Sequence, residues 1–263
     1  MRRICDRHSG ICAADGAVSD QSADIKDSNI KNEKGDFAVT KIVLIDVDDT
    51  LLDFHACAGE SMACVLAQYG LPYPEHLLET FTRINNGLWR ALERGEITRE
   101  KLHAVRFDLI FREMGIPLSG PEFETRFRNE LKSAAIPVEG AQDLLAYLAG
   151  KYTVCIASNA DEKQQRARLT RAGLLPYVAH LFISQALGAD KPSREFFAGC
   201  FAQLPGALPE EAVMIGDSLT ADIRGARDFG LRTIWFAPRG ETAQAADAPD
   251  YTVRSLAEIR NIL

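Results

Sequence analysis

A doubly wound parallel α/β sheet interrupted by a four-helix insertion is the fold class this sequence predicts, on three observations. Short unbroken apolar runs recur from residue 41 onward, amphipathic stretches separate most of them, and residues 53–137 carry helical periodicity with no strand pattern. A run that is apolar at every position suits a strand buried on both faces, as parallel sheets require. Alternation of such strands with helices implies right-handed βαβ units.

The chain opens on a segment unlike the rest. Between Ala13 and Asp36 its large apolar residues are Val18, Ile25 and Ile30, set among Asp, Ser, Asn and Lys. Such a stretch buries too little surface to offset its ordering entropy. Residues 1–38 are therefore expected to be a disordered tail, a targeting peptide or translated sequence upstream of a later start, with the repeated acids weighing against targeting. Lys41-Ile42-Val43-Leu44-Ile45 begins the folded part as the first strand. Helices are expected at residues 55–69, 74–94, 98–114 and 119–133. Gly70, Gly95 and Gly115 fall near the expected helix ends, and Thr98 offers an N-cap hydroxyl to the third helix. Further strands are expected at residues 152–157, 180–184, 212–215 and 231–236, with a weaker one at 251–253. Helices at 139–148, 161–172, 193–201 and 220–229 separate most of them. The resulting division is a core of residues 39–54 and 138–263 and a helical insertion of residues 55–137.

At 263 residues the chain is long enough for a large domain with a sizeable insertion. Apolar residues make up 46% and charged residues 25%, ordinary globular usage, and no run reaches the ~18 apolar residues that span a bilayer. A net charge of -7 argues against nucleic acid as the partner, because a phosphate backbone selects a basic face. The six cysteines form no CxxC pair and no zinc-site spacing. Residues 1–19 lack the apolar core of a secretory signal, so a soluble protein of the reducing cytoplasm, with no membrane partner, is expected as a monomer or homodimer.

The chemistry-bearing residues fall just beyond the expected strands, where parallel α/β sheets place their ligand crevice. The first strand ends in Asp46-Val47-Asp48-Asp49-Thr50. Alternation puts Asp46 and Asp48 on one side. Two carboxylates so close repel unless a cation or a proton separates their roles, which suits a metal-bound nucleophile beside a general acid. Ile156-Ala157-Ser158-Asn159 ends the second run with a hydroxyl, Asp190-Lys191-Pro192 follows the third, and Gly216-Asp217-Ser218-Leu219-Thr220-Ala221-Asp222 follows the fourth. Taken singly, Ser158 could cap a helix, Lys191 could lie on the surface and Asp222 could pair with Arg224. Asp49 suits a turn, and Asp53 a local hydrogen bond.

As a set, these motifs resemble those of the haloacid-dehalogenase-like (HAD) superfamily, over about residues 40–263. Its DxDx[TV] motif matches residues 46–50, its Ser/Thr matches Ser158, its lysine matches Lys191, and its GDxxxxD matches Gly216, Asp217 and Asp222. The resemblance implies a Rossmann-like core with a type-one helical cap. It further implies that Asp46 attacks phosphorus, that Asp48 protonates the leaving group and then activates water, and that Ser158, Asn159 and Lys191 hold the phosphoryl oxygens. Mg²⁺ would contact Asp46, the backbone carbonyl of Asp48, and Asp217, while Asp222 would orient Lys191 or metal-bound water. Dehalogenating relatives lack the second acid, which is present here as Asp48. Sugar-phosphate mutases carry DxDG and a histidine early in the cap, where this chain has Asp49 and Ala58. Phosphonate-cleaving relatives use a cap lysine, and residues 51–99 contain no lysine.

Within the superfamily, residues 45–54 and 85–98 are similar to the pyrimidine nucleotidase group, which removes the 5′-phosphate of nucleoside monophosphates. A small phosphorylated metabolite, a nucleotide first and a sugar phosphate or phosphoglycolate as alternatives, is the implied substrate. A weakly active binding or regulatory module on the same fold is the contrasting reading. Trp89 could stack on a base and Asn85 or Asn86 could read its edge. Trp89 with Leu88 and Leu92 equally fits a helical core stripe.

Overall fold

In the computed structural model, residues 39–244 and 247–263 are described, so the expectation for residues 1–38 lies outside the described residues. Six parallel strands, β1 (Ile42–Ile45), β2 (Thr153–Ser158), β3 (His180–Ile183), β4 (Ala212–Gly216), β5 (Arg232–Phe236) and β6 (Tyr251–Val253), form one sheet in the order β3-β2-β1-β4-β5-β6. Ile45 of β1 pairs with Ile156 on one side and Ile215 on the other. The chain runs outward from β1 through β2 to β3, then returns across the sheet to β4. The crevice beyond the carboxyl ends of β1 and β4 is thus a topological switch point, where doubly wound folds bind ligands.

The unbroken apolar character of β1 has a direct cause. Val43 and Ile45 face a layer built on helix α5 (Ala141–Ala149) and Leu169 of helix α6 (Glu162–Arg171), whereas Ile42 and Leu44 face Phe196, Phe197 and Cys200 of helix α8 (Arg194–Phe201). Alternate residues of a strand point to opposite faces, and here both faces are covered. A short helix α7 (Ser184–Leu187) lies between β3 and α8.

Between β1 and β2 stand four helices, α1 (Phe54–Gln68), α2 (Leu77–Glu93), α3 (Arg99–Met114) and α4 (Gly120–Leu131). They enclose a core of their own in which Phe107 meets Phe123 at 4.6 Å and Phe127 at 5.1 Å between ring centroids. The second of these helices was expected from residue 74 but starts at Leu77, because His76 sits at φ 62 in the left-handed region and interrupts the winding before it. The helix expected over residues 220–229 is instead a wide π turn, Leu219–Arg224, followed by helix α9 (Gly225–Phe229). Ser218 causes this, since its carbonyl accepts from both Asp222 N and Ile223 N while its hydroxyl caps Ala221 N. Among the described residues no helix is long and apolar enough to cross a membrane.

Candidate active site

Asp46 is the first residue beyond β1 and is 7% exposed. Its backbone N–H donates to Ile215 O, which fixes it against β4. The loop after it turns back tightly: Leu51 N and Leu52 N both donate to Val47 O, and Asp49 takes φ 58. The Asp49 carboxylate accepts from Phe54 N and hydrogen-bonds His55 Nδ1, the turn role its position suggested. Asp53 accepts from Ala56 N and so caps α1.

Lys191 is almost wholly buried, and its ammonium donates to Asp46 Oδ1 at 2.7 Å, Asp222 Oδ1 at 2.6 Å and Ala157 O at 2.6 Å. Three donors meeting three acceptors leave this cation no freedom to wander. Asn159, expected at the phosphate, lines the cavity beside Ser158 and grips the lysine's backbone: its Oδ1 accepts from Lys191 N and its Nδ2 donates to Lys191 O. Asp222 Oδ2 accepts from Ser218 N. Gly216 is required by this packing, because a Cβ there would lie 2.2 Å from Asp222 Oδ2. The Asp217 carboxylate faces the same crevice near Thr50 Oγ1, and its backbone carbonyl accepts from Trp235 Nε1. Ser158 is buried and accepts from Gln165 Nε2 at 2.9 Å.

Asp48 departs from the simple picture of a free acid. Its Oδ1 pairs with Arg168 Nη1 at 2.5 Å, and its Oδ2 accepts from Gln165 Nε2 at 2.9 Å. Arg168 is fully buried, and its Nε donates to Ala134 O in the return from α4 to the sheet. A buried cation needs an anion, and Asp48 supplies it. Gln165 and Arg168 were not singled out by the motifs. Their signal lay in α6, where they share the buried side with Leu169 although both are polar.

The electrostatics are those of too many acids in too little water. Burial pushes the Asp46 carboxyl up to about 7; Lys191 opposes the rise and Asp222 adds to it. Burial, then the charges of Asp222, Asp46 and Asp49, push Asp217 well above the carboxylate range. Burial would lower Lys191, but the carboxylates of Asp222 and Asp46 outweigh it and hold the ammonium charged. Oxygen atoms of Asp46, Asp217 and Asp222 lie within 4.8 Å of one another. Three carboxylates against one lysine leave a negative excess, and the hard oxygen donors fit a small divalent cation such as Mg²⁺. The Asp48 side chain, turned to Arg168, is outside this cluster.

A cavity of about 740 Å³ joins these groups to α2: Asp46, Asp48, Ser158, Lys191 and Asp217 line one wall, and Asn85, Asn86, Trp89, Arg90 and Glu93 line the other. A neighbouring cavity of about 960 Å³ shares Asp48, Trp89 and Glu93 and is lined further by Arg99 and His103 of α3. Trp89 is half-buried between the two and lies outside the aromatic core of the four helices, with the Arg99 guanidinium 5.6 Å from its ring centroid. Asn85 is buried, its Oδ1 accepting from Arg106 Nη1, whereas Asn86 is exposed. Burial, reinforced by the Asp222 charge, pushes Glu93 up to about 7.

Residues 40–230 match the model of the haloacid dehalogenase-like hydrolases. The chain is 34% identical over 223 residues to the HAD-hydrolase YfnB of Bacillus subtilis, covering 85% of this chain and 95% of that protein. It is 33% identical over 224 residues to the pyrimidine 5′-nucleotidase PynA of Streptococcus pneumoniae, covering 85% of this chain and 94% of that one. The crystal structure of YfnB bound to magnesium, which reveals interdomain movement, superposes with a TM-score of 0.81 at 33% identity, covering 85% of this chain and 98% of that chain.

Proposed function

The chain belongs to the haloacid dehalogenase-like hydrolases, and from that premise we propose that it is a magnesium-dependent phosphatase of nucleoside 5′-monophosphates. The observation that carries the chemistry is the convergence of Asp46, Asp222 and Lys191 at hydrogen-bond distance beside Asp217 and Ser158. The nucleotide is supported by Trp89 and Asn85 on the facing wall, and by the similarity to a pyrimidine 5′-nucleotidase. The cytoplasm is the compartment in keeping with this substrate.

In the proposed reaction an Asp46 carboxylate oxygen attacks phosphorus in line, the bond to the leaving oxygen breaks, and Asp48 gives that oxygen a proton. Asp48 then takes a proton from the water that attacks the aspartyl-phosphate, releasing inorganic phosphate and restoring Asp46. For the first transfer an Asp48 oxygen must reach the leaving oxygen, whereas Oδ1 is paired with Arg168 Nη1 and Oδ2 accepts from Gln165 Nε2, so the side chain turns from these partners during the cycle. Ser158 accepts from Gln165, which leaves its O–H to donate to a phosphoryl oxygen, and the Lys191 ammonium holds another with the donor that Asp46 Oδ1 gives up when its carboxylate attacks. Asp46, Asp217 and the Asp48 backbone carbonyl would hold Mg²⁺, which when bound would neutralise charge on the transferring group. The four inserted helices act as the cap that closes the cleft and reads the leaving group.

Release of inorganic phosphate from uridine and thymidine 5′-monophosphates, ribose 5-phosphate and phosphoglycolate, with Mg²⁺ or with EDTA, tests this reading. Release should need Mg²⁺ and show its highest kcat/KM on the nucleotides. Trp89→Ala should lower the nucleotide to ribose 5-phosphate ratio of kcat/KM by roughly tenfold, given ~1–3 kcal/mol per stacked base. A preference for ribose 5-phosphate or phosphoglycolate would replace the nucleotide reading, and no release with Mg²⁺ would remove the phosphatase one.

A further inference from the structure

We infer that Asn85 presents only hydrogen-bond donors to the cleft and thereby selects leaving groups whose ring carries a carbonyl oxygen. The inference rests on the nucleotide reading above and narrows it to a chemical feature of the base.

Behind Asn85 lies Arg106. Arg106 Nη1 donates to Asn85 Oδ1 at 2.8 Å, and a guanidinium has donors and no acceptor. Turning the carboxamide over would set its NH₂ against those donors and strand a buried guanidinium N–H. Arg106 cannot move aside to allow this. Its Nε and Nη2 form a two-pronged pair with Glu124 Oε2 and Oε1 at 3.1 and 2.7 Å, and its guanidinium lies over Phe81, Phe107 and Phe127 at 5.4, 5.6 and 5.1 Å. Burial raises the Glu124 carboxyl, but the Arg106 charge and the hydrogen bonds from His103 and Arg106 outweigh it and keep Glu124 ionised.

The amide orientation of Asn85 is therefore set from within the four-helix core. Its Nδ2 is left for the cleft, where Asn85 shares a wall with Trp89 one helical turn on, opposite Asp46 and Lys191. Among the described residues Nδ2 has no hydrogen-bond partner. A ring stacked on Trp89 meets a donor at its edge and gains from a carbonyl there. Uracil, thymine and cytosine carry one; a bare sugar phosphate carries none.

Asn85→Asp separates this role from a structural one, because the carboxylate keeps an acceptor for Arg106 while replacing the donor with a second acceptor. The probes are uridine 5′-monophosphate, ribose 5-phosphate, and the 5′-phosphate of a phenyl C-riboside, which stacks but has no carbonyl. The variant should keep its Tm, and its kcat/KM ratio of uridine 5′-monophosphate to ribose 5-phosphate should fall by at least about tenfold. The matching ratio for the phenyl riboside should not fall. An unchanged uridine ratio, or an equal fall for the phenyl riboside, would overturn the inference. Should Asn85→Asp fail to fold, the unsubstituted protein decides: a preference of at least about tenfold for uridine 5′-monophosphate over the phenyl riboside supports it, and no preference overturns it. Phosphate release from ribose 5-phosphate alone would remove the nucleotide reading and this inference with it, leaving the phosphatase intact. No release from any probe would remove all three.

Discussion

Asp46 and Asp48 stand two residues apart and face opposite electrostatic problems. Asp46 lies among acids and is pushed up to about 7, so without a cation its charge opposes folding. An acid whose folded pKa exceeds its unfolded value near ~4 binds more protons when folded, so its effect on stability worsens as pH rises from about 4 through 7. Asp48 is instead the counter-ion of a fully buried arginine. Metal-free Asp46→Asn at pH 8 should therefore keep or raise its Tm. Asp48→Asn should lose about 1–3 kcal/mol, several degrees of Tm, by leaving Arg168 without an anion. Thermal denaturation of both variants in EDTA checks this; equal shifts would contradict it. Asp46, Asp217 and Lys191 were legible because reactive residue types followed recognisable strands. Arg168 was not, because its partner lies 120 positions away and only the packing of α6 under the Asp48 loop brings them together.

At the scale of elements, the turn after β4 aims Asp222. Sequence periodicity suggested an ordinary helix over residues 220–229, since periodicity reports which side faces the core and not how tightly the first turn is wound. The π turn at Leu219–Arg224 delivers Asp222 under Gly216 to Lys191. Gly216→Ala would put a methyl group into the Asp222 carboxylate, so the lysine should lose its anchor and kcat should fall by roughly 10²-fold, the scale of an ångström misplacement. Steady-state phosphate release measures it, and a fall of less than about threefold would show that Asp222 does not need this position. The strands and helices themselves were legible to within a few residues, because a strand covered on both faces is apolar at every position. The left-handed His76 was not, since nothing in its residue type demands that conformation.

For the whole molecule, a sheet switch point supplies the reactive groups and a four-helix insertion supplies the opposite wall of the cleft. The two parts have separate cores. This explains why the motifs made phosphoryl chemistry legible while the role of Trp89 stayed open: periodicity placed it beside Leu88 and Leu92, and only the tertiary arrangement shows it between two cavities. The proposed reaction depends above all on Asp46 as the attacking group. The most direct measurement is kcat of Asp46→Asn on uridine 5′-monophosphate with Mg²⁺, in protein whose Tm shows it folded. The expected value is below about a thousandth of the unsubstituted protein's, a barrier increase of more than ~4 kcal/mol. Retention of more than about a tenth, a loss of only ~1.4 kcal/mol, would contradict the claim.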